Sequence, residues 1–147
     1  MPDSTISPAG RTAFNATVHD TGQGRLAVRV LTGGLSFPGD EPLDMGGAGL
    51  GPGPYDLLCA ALAACTTMTV RSYADQKGWP LTGIRVAVRH AKVPGQTPPD
   101  LFHRLIALEG SLDGAQRERL LQIAERCPVH RTLTAGSRIT TEQEPAS

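Results

Sequence analysis

Pro54 to Val70 reads PYDLLCAALAACTTMTV, and this stretch decides how the rest of the chain can fold. From Leu57 to Val70 it carries no charged residue, although 19% of the whole chain is charged. Ala and Leu favour helix, proline suits a first turn, and Asp56 follows where the helix dipole favours a carboxylate. Fourteen uncharged residues are too few to span a bilayer. The stretch therefore predicts a helix buried in protein, ending near Lys77 before Gly78.

Length and charge narrow the class of protein. The chain has 147 residues, which suffices for one domain with a real core. Its 14 basic and 14 acidic residues balance, which argues against a nucleic-acid partner and against binding to an anionic membrane. The N-terminus, MPDST, shows no signal peptide, and three cysteines are too few for a secreted disulfide scaffold. We therefore expect a cytoplasmic protein.

Alternation of apolar residues and turn residues predict the other elements. Residues 1–11 are expected to form a flexible tail, and residues 12–147 a single domain. A second helix is predicted from Ala115 to about Arg126, with Asp113 as its N-cap and an apolar stripe of Leu120, Leu121, Ile123 and Ala124. Strands are predicted over Thr12–His19, Arg25–Leu31, Leu35–Phe37, Ile84–His90, Leu101–Leu108 and Arg138–Thr141. The order βββ–α–ββ–α–β predicts an α+β fold with small antiparallel sheets.

The uncharged central helix also predicts an oligomer. A helix without charge on any face needs cover on every face, and one small sheet covers only one side. A partner subunit is a natural source of the remaining cover, so the sequence predicts a homodimer.

Cys65 and Cys127 are the first candidates for chemistry. Cys65 lies mid-helix among apolar residues, where a thiol is inert unless a nearby group stabilises its thiolate. Cys127 precedes Pro128, which can open a separate short helix whose free N–H groups would favour a thiolate. The alternative is that both cysteines are ordinary core residues, because free cysteine is among the most buried residue types. Cys59 is expected to serve packing only.

A metal site and a serine nucleophile have less support. Cys127 and His130 have a C-x-x-H spacing, with His19, His90 and His103 elsewhere, but a structural zinc usually needs two local ligand pairs. No G-x-S-x-G motif is present, and the glycine-rich loop before the helix lacks a phosphate-loop lysine. We therefore expect neither a metal nor a cofactor.

Two motifs together resemble the OsmC/organic hydroperoxide resistance superfamily. One is PYDLL at Pro54–Leu58 followed by AALAACT at Ala60–Thr66, and the other is CPVH at Cys127–His130. The resemblance covers roughly residues 12 to 141. It implies an OsmC-like fold, small sheets around a long buried helix, in an intertwined homodimer with two sites at the subunit interface.

The resemblance also implies an activity, the thiol-dependent reduction of organic hydroperoxides in oxidative-stress defence. Cys65 would attack the peroxide oxygen and become a sulfenic acid, and Cys127 would resolve it as a disulfide. An external dithiol would then reduce that disulfide, and the substrate would be a small hydrophobic peroxide. The alternative is a non-catalytic OsmC-like dimer that binds a small hydrophobic ligand at the subunit interface.

The family's peroxidases hold the reactive thiolate with an Arg–Glu pair, and this sequence departs from that pattern. Tyr55 follows the proline, and the acid comes one residue later as the shorter Asp56. Residues 35–42 contain no arginine, which leaves Arg25 and then Arg29 as the candidate guanidinium. The resemblance therefore implies Asp56 and Arg25 as the supporting groups, in a branch with a Pro-Tyr-Asp-Leu-Leu motif.

Overall fold

A computed structural model describes residues 14–146. The predicted tail over residues 1–11 lies outside the described residues, as does the start of the first predicted strand. The chain divides into two compact units, one up to Leu58 and one from Cys59 onward. The observed element order is βββ–α–ββ–α–α, which confirms the α+β class.

The first unit contains a three-stranded antiparallel sheet. Its strands are β1 (Ala16–Asp20), β2 (Val28–Thr32) and β3 (Leu35–Gly39), in the spatial order β1-β2-β3. Val30 lies opposite Val18 on one side and Phe37 on the other, so apolar side chains pair across the sheet. The three predicted N-terminal strands are thereby confirmed.

A buried carboxylate organises the glycine-rich loop that follows this sheet. Asp40 accepts hydrogen bonds from the backbone N–H groups of Glu41, Ala48 and Leu50, at 2.8, 3.1 and 3.3 Å. A Cβ atom at Gly47 would lie 1.9 Å from the carbonyl oxygen of Glu41, so only glycine allows this close approach. The loop leads into the first helix.

That helix, α1, runs from Pro54 to Lys77 and is the longest element of the chain. Gly78 adopts a φ of 65° directly after it, and the N–H of Trp79 bonds back to the carbonyl of Ala74 at 2.9 Å. The predicted start and stop are therefore confirmed. Among the described residues, α1 is the one helix long and apolar enough to cross a membrane by length and composition. Core helices of soluble proteins pass the same criterion.

The second unit packs its elements around one apolar cluster. After α1 come the strands β4 (Gly83–Lys92) and β5 (Asp100–Glu109), which confirm two predicted strands and form an antiparallel hairpin. The helices α2 (Gly114–Ala124) and α3 (Pro128–Ala135) follow. The core of this unit consists of Val70, Ala74, Leu81, Leu112, Leu120 and Ala124.

The predicted capping of α2 is confirmed, and one member of its predicted stripe is wrong. The Asp113 carboxylate accepts from the N–H of Gln116, and the Gln116 side chain accepts from the N–H of Asp113, which makes a capping box. Leu120 is fully buried, whereas Leu121 is 47% exposed. Successive helical positions turn by about 100°, which places Leu121 outside the sector that contains the buried side chains of Leu120, Ile123 and Ala124.

The predicted strand over residues 138–141 is wrong. Residues 136–146 form neither helix nor strand, and the side chain of Ile139 is 90% exposed. This segment pairs with no strand of either described sheet. A strand needs a neighbouring strand to take its backbone hydrogen bonds, and apolar alternation alone does not supply one.

Candidate active site at the start of α3

Cys65 and Cys127 come together in the second unit. Cys65 lies in the middle of α1 and is partly exposed, whereas Cys127 is the N-cap of α3 and is completely buried. Both thiols are free, and their side chains interact as hydrogen-bond partners. The local sequence explains the position of Cys127, because Pro128 ends the preceding segment and opens α3 as its first residue.

The surroundings of the two sulfurs shift their pKa values in opposite directions. Burial raises the pKa of the Cys65 thiol, and the hydrogen bond and charge of Cys127 raise it further. Hydrogen bonds from the Val129 N–H and the Thr69 side chain act to lower this pKa but do not outweigh the other effects. Burial also acts to raise the pKa of Cys127. Hydrogen bonds from the Cys65 side chain, the His130 N–H, the Thr66 side chain and the Val129 N–H outweigh it and hold that pKa below its ordinary value.

When the reduced pair loses its first proton, the charge therefore falls on Cys127, and the proton that remains on Cys65 is donated towards the Cys127 sulfur. The free N–H groups at the start of α3 provide part of this preference, as helix N-termini do for anions.

A nearly buried guanidinium lies behind the pair. Arg104 of β5 is 11% exposed, and its Nη1 donates to the hydroxyl oxygen of Thr66 at 2.9 Å and to the carbonyl of Ala124 at 3.3 Å. Thr66 is fully buried, directly follows Cys65, and donates its hydroxyl hydrogen to the carbonyl of Leu62 at 2.7 Å. Arg104 thus joins β5 to α1 and to the end of α2.

His130 and Glu125 complete this cluster. Nη2 of Arg104 lies 3.3 Å from Nδ1 of His130, and since a guanidinium can only donate, Nδ1 is the acceptor. The proton of a neutral imidazole then sits on Nε2, which lies 3.5 Å from Oε2 of Glu125. Oε1 of Glu125 lies 3.8 Å from Nη2 of Arg104. Glu125 is well exposed, so these two charged contacts contribute little stability.

The predicted supporting residues Asp56 and Arg25 lie in the first unit. The Asp56 carboxylate accepts a 2.8 Å hydrogen bond from the N–H of Gly53, at the start of α1. Arg25 is exposed in the connection between β1 and β2, and its guanidinium lies near Gly46. Their assignment to the reaction stays a prediction.

Arg104, Thr66 and Glu125 were not predicted from the sequence, and His130 was considered there only for its C-x-x-H spacing with Cys127. The alternation of β5 did place Arg104 on the same side as Phe102 and Ile106, and the structure shows these three side chains partly buried. A charged residue on the core-facing side of a strand needs a partner, and this was the available signal. Its partners could not be named, because they come from α1 and α3.

A groove lies beside the two thiols. It has a volume of about 500 Å³ and is lined by Met68, Thr69, Ser72, Tyr73, Gln76, Ile123, Arg126 and Pro128. Thr69 contacts Cys65 and Pro128 follows Cys127, so the groove adjoins the pair. Within residues 14–146, no cluster of three or more His, Cys, Asp or Glu side chains is arranged to hold a metal ion.

Solved structures of low sequence identity share this fold. A Psychrobacter arcticus 273-4 protein, provisionally named an osmotic stress induced and detoxification response protein, is 21% identical, with a TM-score of 0.68 over 83% of this chain and 89% of that one. An OsmC like protein from Mycoplasma pneumoniae is 18% identical, with a TM-score of 0.64 over 82% and 86%. An organic hydroperoxide resistance protein OsmC from Legionella pneumophila is 22% identical, with a TM-score of 0.55 over 84% and 91%.

The sequence itself gives the family. None of the curated proteins compared with this chain matches it. The family model of OsmC-like proteins matches residues 46–142, which is more than half of the chain and includes α1, both thiols and the Arg104 cluster. In this fold α1 is the core helix of a soluble domain. The chain belongs to the OsmC-like protein family.

Proposed function

We propose that this protein is a thiol-dependent peroxidase that reduces organic hydroperoxides, with Cys65 and Cys127 as its redox pair. One observation carries the proposal: two free thiols interact directly, one partly exposed and the other buried at a helix N-terminus. Membership of the OsmC-like family supports it, and so does the fold shared with the organic hydroperoxide resistance protein of Legionella pneumophila. Its physiological role would be defence against oxidative stress in the cytoplasm.

Cys65 is the attacking sulfur in this proposal because it is the exposed member of the pair. As its sulfur attacks the peroxide oxygen, its proton passes to the Cys127 thiolate, which already accepts a hydrogen bond from it. The O–O bond breaks, Cys65 becomes a sulfenic acid, and the alkoxide takes a proton from water and leaves as an alcohol. Two electrons pass from the sulfur to the peroxide.

Cys127 then resolves the sulfenic acid. Its lowered pKa favours loss of the proton again, and the thiolate attacks the Cys65 sulfur and expels hydroxide, which becomes water. The product is an intramolecular disulfide. An external dithiol reduces it by thiol–disulfide exchange and returns both thiols.

A homodimer is part of the proposal. In the second unit α1 buries one stripe only, formed by Leu62, Thr66, Val70 and Ala74. Its other sides are apolar yet exposed at Ala60, Ala61 and Ala64, and Met68 is 69% exposed. Exposed apolar surface of this kind marks an interface, and a second copy of the chain would cover it.

Asp56 and Arg25 keep their predicted place as supporting groups. Replacing Arg25 by methionine should slow peroxide reduction if its guanidinium supports the Cys65 thiolate. Arg29→Met on β2 tests the second candidate guanidinium of that hairpin in the same assay. Equal rates for the Arg25 variant and the parent would remove Arg25 from the proposal.

The groove favours a second candidate function, the binding of a small hydrophobic ligand without catalysis. Its volume of about 500 Å³ is within the range of small-molecule sites, and Met68, Tyr73 and Ile123 give it an apolar lining. This function predicts that a hydrophobic ligand raises the melting temperature of a Cys65→Ser, Cys127→Ser double variant. An unchanged melting temperature would count against it.

Consumption of tert-butyl or cumene hydroperoxide, with a small dithiol as reductant, tests the main proposal. Cys65→Ser should abolish consumption, whereas Cys59→Ser, a matched change on the same helix, should leave the rate unchanged. The proposal fails if the Cys65→Ser variant consumes peroxide as fast as the parent.

A further inference from the structure

We propose that Arg104 is the positioning residue that places the negative charge of the thiol pair on Cys127, acting through the hydroxyl of Thr66 and the ring of His130. This inference rests on the proposed use of Cys65 and Cys127 as a redox pair. Arg104 is not a catalytic residue in this account, because its described contacts are with Thr66, Ala124, His130 and Glu125 rather than with either sulfur.

The hydroxyl of Thr66 is the first link. It has one hydrogen, which it gives to the Leu62 carbonyl at 2.7 Å, and it also interacts with the Cys127 side chain. When Cys127 is ionised, the hydroxyl can turn its hydrogen to the sulfur, because the Leu62 carbonyl keeps its helical hydrogen bond. Nη1 of Arg104 occupies a lone pair of the same oxygen at 2.9 Å. A cationic donor at the oxygen polarises the O–H group and strengthens it as a donor.

The imidazole of His130 is the second link. Nη2 of Arg104 faces Nδ1 at 3.3 Å, so the ring is held with its proton on Nε2, towards Glu125. Holding the ring also holds the first turn of α3. The backbone N–H of His130 belongs to that turn and interacts with the Cys127 sulfur. One guanidinium thus supports two of the groups that favour the Cys127 thiolate.

The two contacts, to Thr66 and to His130, require the two terminal nitrogens of the guanidinium group. Nη1 serves Thr66 while Nη2 serves His130, and a lysine ammonium at the same place could not reach both with one nitrogen. The charged and titratable groups around Cys127 include Cys65 on α1, Arg104 on β5, Glu125 after α2, His130 on α3 and Arg126, the exposed residue directly before Cys127. Arg104 is the cation that connects these elements.

Ionisation of the thiols, followed by ultraviolet thiolate absorbance in a Cys59→Ser background, tests the proposal without needing access to the buried sulfur. Arg104→Met and Arg104→Lys should each raise the midpoint pH of the first ionisation by about one unit or more. Thr66→Val should also raise it, whereas Thr66→Ser, which keeps the hydroxyl, should not. Arg89→Met, on the exposed side of the same hairpin, should match the parent.

The proposal is overturned if a folded Arg104→Met or Arg104→Lys variant keeps the parent midpoint. Because Arg104 acts partly through Thr66, the Arg104→Met, Thr66→Val double variant should shift less than the sum of the single shifts, and strict additivity would also overturn it. The assay contains no peroxide. If the Arg104 variants shift the midpoint pH but the parent protein consumes no peroxide, the proposed activity is wrong and the role of Arg104 stands. If the parent consumes peroxide but the Arg104 variants keep its midpoint pH, only the role of Arg104 is wrong.

Discussion

The side chains of Cys65 and Cys127 interact directly, although one lies in the middle of α1 and the other caps α3. The contact joins a partly exposed thiol to a completely buried one. Since burial acts against both charges, the preference for ionised Cys127 comes from the hydrogen bonds around it. The two thiols therefore ionise as a coupled unit, with Cys127 losing its proton first.

This coupling predicts opposite effects of the two serine variants on thiol ionisation. Cys127→Ser removes the charge that raises the pKa of Cys65, so the midpoint pH of Cys65 should fall. Cys65→Ser removes the thiol donor that lowers the pKa of Cys127, so the midpoint of Cys127 should rise. Thiolate absorbance against pH, in the Cys59→Ser background, measures both. Shifts in the same direction for the two variants would show that the pair is not coupled in this way.

Two adjacent leucines of α2 predict contrasting effects on stability. Leu120 is fully buried in the apolar cluster of the second unit, so Leu120→Ala should lower the free energy of unfolding by about 2–5 kcal/mol. Leu121→Ala is the matched control and should cost about 0.5 kcal/mol or less, because that side chain is 47% exposed. Urea unfolding at one fixed protein concentration measures both. Equal losses would contradict the burial described for α2.

A charge on the exposed side of α1 should break the proposed dimer. Ala64→Glu would place a carboxylate in an apolar interface, where a buried unpaired charge is costly. Ala115→Glu is the control, because it lies exposed in the first turn of α2, where a carboxylate is favoured. Light scattering should give two chains of 15.5 kDa each for the parent and for Ala115→Glu, and one chain for Ala64→Glu. A monomeric parent would contradict the dimer.

The elements whose ends are marked by local chemistry could be predicted from the sequence. Pro54 and Gly78 mark the ends of α1, Asp113 caps α2, and Cys127 with Pro128 begins α3. Each of these signals acts within one turn of the helix that it marks. Local patterns therefore sufficed for them.

Features that depend on distant partners could not be predicted in this way. The alternation along β5 puts Arg104 on the same side as Phe102 and Ile106, but its role depends on Thr66 and His130, which belong to other elements. The strand expected around Ile139 failed for a related reason, since alternation shows which side chains could share a face and not whether a neighbouring strand exists. The two motifs that carry Cys65 and Cys127 were recognised together only through the family resemblance.

The central claim is that Cys65 and Cys127 form one redox pair, and a titration of the reduced protein with an organic hydroperoxide tests it most directly. Free thiols are counted and the disulfide is located by peptide mass spectrometry. One equivalent of peroxide should remove two of the three thiols and yield a Cys65–Cys127 disulfide within one chain, with Cys59 still present as a thiol. Peroxide consumption that leaves Cys65 and Cys127 both as free thiols would contradict the claim.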